Sequence, residues 1–282
     1  MPFLMGPALL FCPADRPERY AKAADRADAV ILDLEDAVAP DAKQRARGAV
    51  LAQIVDGPEL DPARTIVRVN PAGTEEFEKD LHMLKHTPYR TVMLAKTAGP
   101  DDVRALAGFH VLALVETAEG VLNAGRIAAE PNVAGLMWGA EDLVASLGGT
   151  SSRGEDGLYR AVALQARSTV LLAAGAYGKP AIDSVYVNIP DLAGLEAEAR
   201  DAAASGFAAK ACIHPSQAAA VRAAYAPADE EVAAARELLD AAAAAGTGVF
   251  QFKGRMVDGP VLRHAEQTLR RARFQADAPG GE

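Results

Sequence analysis

Short apolar runs rich in Val, Ile and Leu recur along the whole first part of the chain. They are ALLFCP at 8–13, AVILDLED at 29–36, TIVRVN at 65–70, TVMLAK at 91–96, VLALVET at 111–117, VAGLMWG at 133–139, IDSVYV at 182–187 and AAKACIHP at 208–215. Most are continuous rather than alternating, the mark of strands buried on both faces. Helical stretches fill the gaps at 17–27, 40–54, 74–86, 101–107, 119–130, 157–177, 191–205 and 215–225. Pro17 and Pro40 open two of them as first-turn prolines, and Thr74 opens a third with acidic residues in its first turn. Strand–helix alternation with right-handed crossovers makes a parallel sheet, and eight such units in about 225 residues match an α/β fold of the TIM (β/α)8 barrel type. The rival, an open doubly wound sheet, wants a glycine-rich phosphate loop after an early strand, and the sequence has none there.

Past residue 226 the pattern changes. APADEEVAAARELLDAAAAAG reads as a helix ending at Gly246, TGVFQFKGRMVDG as a hairpin, PVLRHAEQTLRRARF as a second helix and QADAPGGE as a frayed end. The expected organisation is a catalytic barrel over 1–226 and a C-terminal helical and hairpin extension over 227–282, serving as a lid or an oligomer arm.

Composition removes several function classes. Asp and Glu exceed Lys and Arg by 38 to 29, a net charge of −9, and aromatics are 5% of residues. That balance argues against nucleic-acid binding and against a base-stacking platform. No apolar run reaches the roughly 18 residues of a membrane span. The opening MPFLMGPALL lacks the basic start and small-residue cleavage site of a signal peptide. Cys12 and Cys212 form neither a disulfide framework nor a zinc motif and read as small buried residues on strands one and eight. A cytoplasmic protein is expected.

The informative positions are those where charge interrupts apolar strands. Strand two ends in Asp33, Glu35 and Asp36, strand three in Arg68 and Asn70, strand four in Lys96, strand five in Glu116; Glu141 and Asp142 follow strand six and His214 ends strand eight. In a barrel of this kind the active site lies at those ends. Glu116 and Asp142, without a nearby His or Cys, suit a hard cation, most simply Mg²⁺ with open positions that chelates a keto or hydroxy acid. Arg68 suits a substrate carboxylate or a developing oxyanion. Structural ion pairs within the barrel are the competing explanation. His82 and His86, four apart on a helix, read as a solvated face. His214 is either substrate-adjacent or structural. The loop SLGGTSSRGEDG at 146–157 is either a lid or a loose connection. Arg16, Arg19 and Lys22 after strand one, with Lys43, Arg45 and Arg47 after strand two, form either a cationic rim for a phosphorylated ligand or ordinary helix-surface charge.

The segments LFCPADRPERYAKAADRADAVILDLEDAV, VRVN, LVETAEG, MWGAEDL, CIHPSQ and GRMVDGPVL together resemble the citrate lyase β-subunit and its stand-alone relatives, the citramalyl-CoA and malyl-CoA lyases of the HpcH/HpaI aldolase–citrate lyase superfamily. The resemblance runs from about residue 8 to 273. It implies a TIM barrel whose extension exchanges contacts in a homotrimer, and Mg²⁺ on Glu116 and Asp142. It places Arg68 on the substrate carboxylate or thioester oxygen, with Glu116 and the backbone amides near Gly139 and Ala140 at the 2-keto acid. Glu35 and Asp36 stand beside them in the catalytic pocket. CoA runs along the first two loops near Arg16, Lys22 and Lys43. Asp258, from the MVDGP turn, acts as acid/base over a neighbouring subunit's pocket.

The implied reaction cleaves a citryl-, citramalyl- or malyl-type 3-hydroxy-acyl-CoA into acetyl-CoA and oxaloacetate, pyruvate or glyoxylate. One alternative is a subunit of a citrate lyase complex acting on an acyl-carrier protein thioester. Another is a CoA-free metal-dependent aldolase, a group that generally has a catalytic His after strand two, whereas the first His here is His82. A third is a non-catalytic scaffold, which has no need of Glu116, Asp142, Arg68 and Asp258 together. Isocitrate-lyase-like chemistry would need a loop cysteine, and Cys12 and Cys212 lie in predicted strands.

Overall fold

The structure is a computed structural model, and it describes residues 5–55, 60–246 and 248–276. The strands are β1 (Ala8–Pro13), β2 (Ala29–Asp33), β3 (Thr65–Val69), β4 (Thr91–Leu94), β5 (His110–Val115), β6 (Val133–Trp138), β7 (Ala181–Asp183) and β8 (Ala209–Cys212). All neighbours run parallel, and β1 pairs with β8 through Ala8–Lys210, Leu9–Ala211 and Leu10–Cys212, which closes the barrel. The TIM-barrel expectation is met. Apart from β1, the observed strands stop one to four residues before the apolar runs do, so that Glu35, Asp36, Asn70, Lys96 and Glu116 belong to the loops.

The crossover helices are α1 (Tyr20–Arg26), α2 (Lys43–Val55), α3 (Glu75–Leu84), α4 (Pro100–Arg104), α5 (Ala118–Ala128), α6 (Ala140–Ser146), α7 (Ala161–Ala176), α8 (Leu192–Ser205) and α9 (Pro215–Tyr225). Their starts are chemically marked. Thr74, Thr117 and Asp191 accept from the N–H groups of Phe77, Gly120 and Gly194 at 2.9–3.1 Å, each satisfying a helix-end donor. Pro17 and Pro40 open short 3-10 turns ahead of α1 and α2 rather than the α-helices themselves. Helix α6 stands between strand six and the loop at 146–157, where the sequence pattern marks no helix.

Side chains alternate in and out along each strand. Leu9, Ala29, Ile31, Ile66, Met93, Leu112, Leu114, Met137, Ile182, Ala209 and Ala211 form one buried cluster, which fills the barrel. Continuing that inward parity toward the carboxyl ends reaches Asp33 on β2, Arg68 on β3, Glu116 after β5, Gly139 after β6 and Ser184 after β7. The opposite parity faces the helices.

The described residues divide into two compact units at Val221/Arg222. The second unit holds α10 (Asp229–Ala245), the hairpin strands β9 (Phe250–Phe252) and β10 (Arg255–Val257), and α11 (Gly259–Ala276). Gly246 ends α10 with φ +64, a left-handed cap. Lys253 and Gly254, both with positive φ, make the tight turn between Phe252 and Arg255. Helices α10 and α11 pack on each other. The end expected to fray, 275–282, lies outside the described residues from 277 onward. No described helix is long and apolar enough to cross a membrane.

Candidate active site

Arg68 is held like a fixed fork. Its Nε donates to Asp33 Oδ1 at 2.7 Å and its Nη2 to Asp33 Oδ2 at 2.6 Å, while Nη1 lies 3.0 Å from Glu35 Oε2. The guanidinium also stacks over Phe11, 4.9 Å from the ring centroid. Burial opposes its charge, but Asp33 and Glu35 outweigh that and raise its pKa further. It is therefore a permanent, oriented cation at the end of β3.

Lys96, just past β4, ties the acids together. Its ammonium is ion-paired with Glu35, lies 3.2 Å from Asp36 Oδ2 and 3.4 Å from Asp142 Oδ1. Its backbone N–H donates to Glu116 Oε1 at 3.0 Å. Burial would lower the ammonium's pKa; Glu35, Asp142 and Asp36 more than reverse this. Burial raises the pKa of Glu35 against the pull of Arg68 and Lys96, whereas Lys96 overcomes burial at Asp36 and lowers it.

Glu116 is only 3% exposed, and burial together with Asp142's charge pushes its pKa up to about 8, against the opposing pull of Arg68 and the Lys96 N–H. Asp33, Glu35, Asp36, Glu116 and Asp142 thus outnumber Arg68 and Lys96 at one mouth. A buried carboxylate beside a second acid, with oxygen donors only, fits a hard divalent cation. Among the described residues no group of three or more His, Cys, Asp or Glu side chains stands at ligand spacing. A cation here would be held by Glu116 and Asp142 and would complete its shell with water or substrate, the habit of Mg²⁺.

Gly139 matters for a reason that sequence reasoning missed. A Cβ there would lie 2.6 Å from Glu116 Oε2 and 2.9 Å from Glu116 Cβ. The backbone amides expected to hold a keto acid are engaged within the fold: Gly139 N–H donates to Val115 O at 3.2 Å and Ala140 N–H to Ser184 Oγ at 3.3 Å. Gly139 makes room for Glu116 and starts α6, whose first turn carries Asp142.

Much of the basic rim is engaged within the fold. Lys43 directs its ammonium to Leu34 O (2.7 Å), Glu35 O (3.0 Å) and Asn70 Oδ1 (2.8 Å), so its donors brace the loop after β2 instead of facing a ligand. Arg47 is buried against Asp80 at 2.7 Å and pairs with Glu76; Arg45 pairs with Asp15 at 3.1 Å. Arg16, Arg19 and Lys22 are exposed after β1, with Arg16 4.0 Å from Asp15. Asn70 is a structural pillar, bonded through N and Nδ2 to Asp80.

The remaining candidates resolve plainly. His214 Nδ1 contacts Ser216 Oγ at 2.7 Å and accepts from Ser216 N at 3.2 Å, a turn-capping role at the start of α9. His82 is exposed on α3 and His86 is exposed in the turn after it. Loop 146–157 is tied down, with Arg153 paired to Glu198 at 2.7 Å and stacked on Tyr159, and Ser152 bonded to Glu141 at 2.6 Å. Cys12 and Cys212 are both buried. Asp258 lies in the second unit, where its carbonyl and Oδ1 accept from the amides of Leu262 (3.1 Å) and Val261 (3.4 Å) at the head of α11.

A closed parallel barrel with its charged side chains gathered at the carboxyl ends of the strands is the layout of a barrel enzyme. Its sequence matches the HpcH/HpaI aldolase/citrate lyase profile over residues 8–215 and a profile for carbon–carbon bond lyases of the TIM-barrel fold over 163–276. It is 56% identical over 267 residues to a citrate lyase subunit beta-like protein of Mycobacterium tuberculosis, covering 95% of this chain and 96% of that one. It is 33% identical to human mitochondrial citramalyl-CoA lyase, covering 93% and 84%. A crystal structure of M. tuberculosis CitE in complex with magnesium, acetoacetate and coenzyme A superposes with a TM-score of 0.87 at 56% identity, covering 95% of this chain and 98% of that one. The chain belongs to the HpcH/HpaI aldolase/citrate lyase family and is a carbon–carbon bond lyase.

Proposed function

We propose that this lyase is Mg²⁺-dependent and cleaves a 3-hydroxy-acyl-CoA thioester of the citryl, citramalyl or malyl type into acetyl-CoA and a 2-keto acid. The observation that carries the reading is the excess of carboxylate at the barrel mouth, with buried Glu116 destabilised as an anion by Asp142. A relative crystallised with magnesium, a keto acid and coenzyme A supports it.

Bound at Glu116 and Asp142, Mg²⁺ would supply Lewis-acid polarisation of the substrate's oxygen atoms. Arg68, locked by Asp33 and Glu35, points a pre-oriented guanidinium at the negative charge of the substrate carboxylate or the thioester enolate. Because Asp33 and Glu35 hold it in place, little reorganisation accompanies the reaction. Glu35 and Asp36 are assigned to the polar lining of the catalytic pocket, where they fix Lys96. Arg16 and Lys22 are assigned to the CoA phosphates. Asp258 is assigned as the acid/base at the acetyl carbon, reaching a neighbouring subunit in a homotrimer. The homotrimer belongs to this same reading and rests on the family resemblance; a cytoplasmic location and the division into a catalytic barrel (1–226) and an arm (227–282) belong to it too and rest on the sequence pattern.

The test is turnover of a panel of 3-hydroxy-acyl-CoA thioesters by the purified chain, following acetyl-CoA and keto-acid release with and without a chelator. Rapid, chelator-sensitive cleavage of one member is expected. Chelator-insensitive cleavage, or activity on CoA-free keto acids alone, would overturn the reading. Asp258→Asn is expected to bind metal and keto acid normally while losing turnover; full activity would remove Asp258 from the mechanism.

A further inference from the structure

Lys96 touches both acids assigned to the cation. Its backbone N–H bonds Glu116 Oε1 at 3.0 Å, and its ammonium stands 3.4 Å from Asp142 Oδ1. The same ammonium is shared with Glu35 and Asp36. The residue has φ +51, a left-handed conformation that a lysine rarely adopts and a glycine enters freely. The turn alone therefore gives no reason for a lysine; the contacts of its side chain do. An ammonium and a hard divalent ion compete for the same carboxylate oxygen, and like charges a few ångströms apart repel.

We propose that Lys96 is a positioning residue that sets the affinity of the cation site. Its N–H orients Glu116. Its ammonium occupies Asp142 until a divalent ion takes that carboxylate over, and then withdraws onto Glu35 and Asp36. The mouth is thus charge-balanced in part by its own side chain when empty, and its hold on the ion is kept weaker than its carboxylates alone would make it. The proposal rests on the assignment of Glu116 and Asp142 as the ligands.

The experiment is Mg²⁺ titration of the metal-stripped full chain by calorimetry, in one buffer throughout, for wild type, Lys96→Met, Lys96→Arg and Asp142→Asn. Lys96→Met is expected to bind Mg²⁺ about tenfold more tightly, because it loses a cation but keeps the backbone N–H. Lys96→Arg, which keeps the charge, is expected to stay within about twofold of wild type. A lysine with a merely structural role would give weaker or unchanged binding in Lys96→Met, and either result overturns the proposal. An independent readout on the wild-type chain is the NMR signal of the Lys96 ε-methylene, assigned by comparison with Lys96→Arg. It is expected to shift on Mg²⁺ saturation, and an unmoved signal overturns the proposal even if Lys96→Met fails to fold. If wild type takes up no Mg²⁺, or Asp142→Asn binds it as tightly as wild type, the ligand assignment fails and the proposal with it. If Asp142→Asn weakens binding and Lys96→Met does not tighten it, only the proposal for Lys96 fails.

Discussion

The barrel carries two charge networks, one gathered inside the mouth from the ends of β2 to β5 and the start of α6, the other on the outer face of β7 and β8. The inward one joins Asp33, Glu35, Arg68, Lys96, Glu116 and Asp142. The outward one lies between strands and helices: Lys210 of β8, 0% exposed, bonds Asp183 Oδ2 (2.8 Å), Ser184 O (2.8 Å) and Glu198 Oε1 (2.9 Å). Asp183 Oδ1 also accepts from Trp138 Nε1 at 2.7 Å and Arg167 Nε at 3.0 Å, while Arg153 closes on Glu198. Outside, every acid has its cation: burial would raise Asp183's pKa, but Lys210 and Arg167 bring it below the ordinary range. Inside, acids are in excess and Glu116 is pushed the other way. A network whose acids each have a cation is a strut; an unbalanced one is a place for a ligand.

Breaking the strut should have the largest effect on the fold. Lys210→Met leaves buried Asp183 with Arg167 and Glu198 with Arg153 but removes the cation they share, and is expected to cost about 3–5 kcal/mol in denaturant unfolding, with Mg²⁺ affinity of the folded fraction unchanged. Equal stability would show that the outward network is not a strut.

The inward network should behave in the opposite sense. Glu116 is raised from 4.5 to about 8, so between those values the folded, metal-free chain binds more protons than the unfolded one. Its stability should therefore fall as pH rises through that window. Glu116→Gln should flatten this fall and lose metal-dependent turnover, and Mg²⁺ should restore the wild type at the alkaline end. Thermal unfolding across pH, with and without the ion, reads all three; a metal-free stability that rises toward pH 8 identically in both chains would contradict the assignment.

Smaller changes sharpen the boundary. Gly139→Ala should displace Glu116 at a cost of about 1–3 kcal/mol and lower turnover by roughly a hundredfold, measured by unfolding and steady-state kinetics. Ser184→Ala removes the acceptor for Ala140 N–H at the head of α6. It should cost about 0.5–1.5 kcal/mol and weaken Mg²⁺ binding only slightly, which calorimetry would resolve.

The two networks also explain what could be read from the residues in advance. Continuous apolar runs announced eight strands because parallel barrel strands are buried on both faces. Charges at their ends pointed to the mouth, and Asp33, Arg68, Glu116 and Asp142 do gather there. What was missed follows from parity. Asp183 and Lys210 sit in runs read simply as strands seven and eight, and only the alternation with Ile182, Ala209 and Ala211 shows that they face the helices. Lys43 and Arg47 read as surface cations because a helix-borne Lys or Arg usually is one, yet Asn70 and Asp80 draw them inward. Helix α6 was hidden because Gly139 caps it without a side-chain signature. Nothing in local sequence marks Lys96 as a bridge between acids that lie 60 residues away at Asp36 and 20 at Glu116.

The absent side chain at position 139 has a use beyond this molecule. Acidic residues can be kept by chance in a chain that has abandoned its chemistry, because a carboxylate at a barrel mouth is easily tolerated. A methyl group pressed against Glu116 is not. Among chains of this type, a glycine that directly follows the sixth strand, paired with a glutamate after the fifth, would separate those still built around a working acid from those that only look alike.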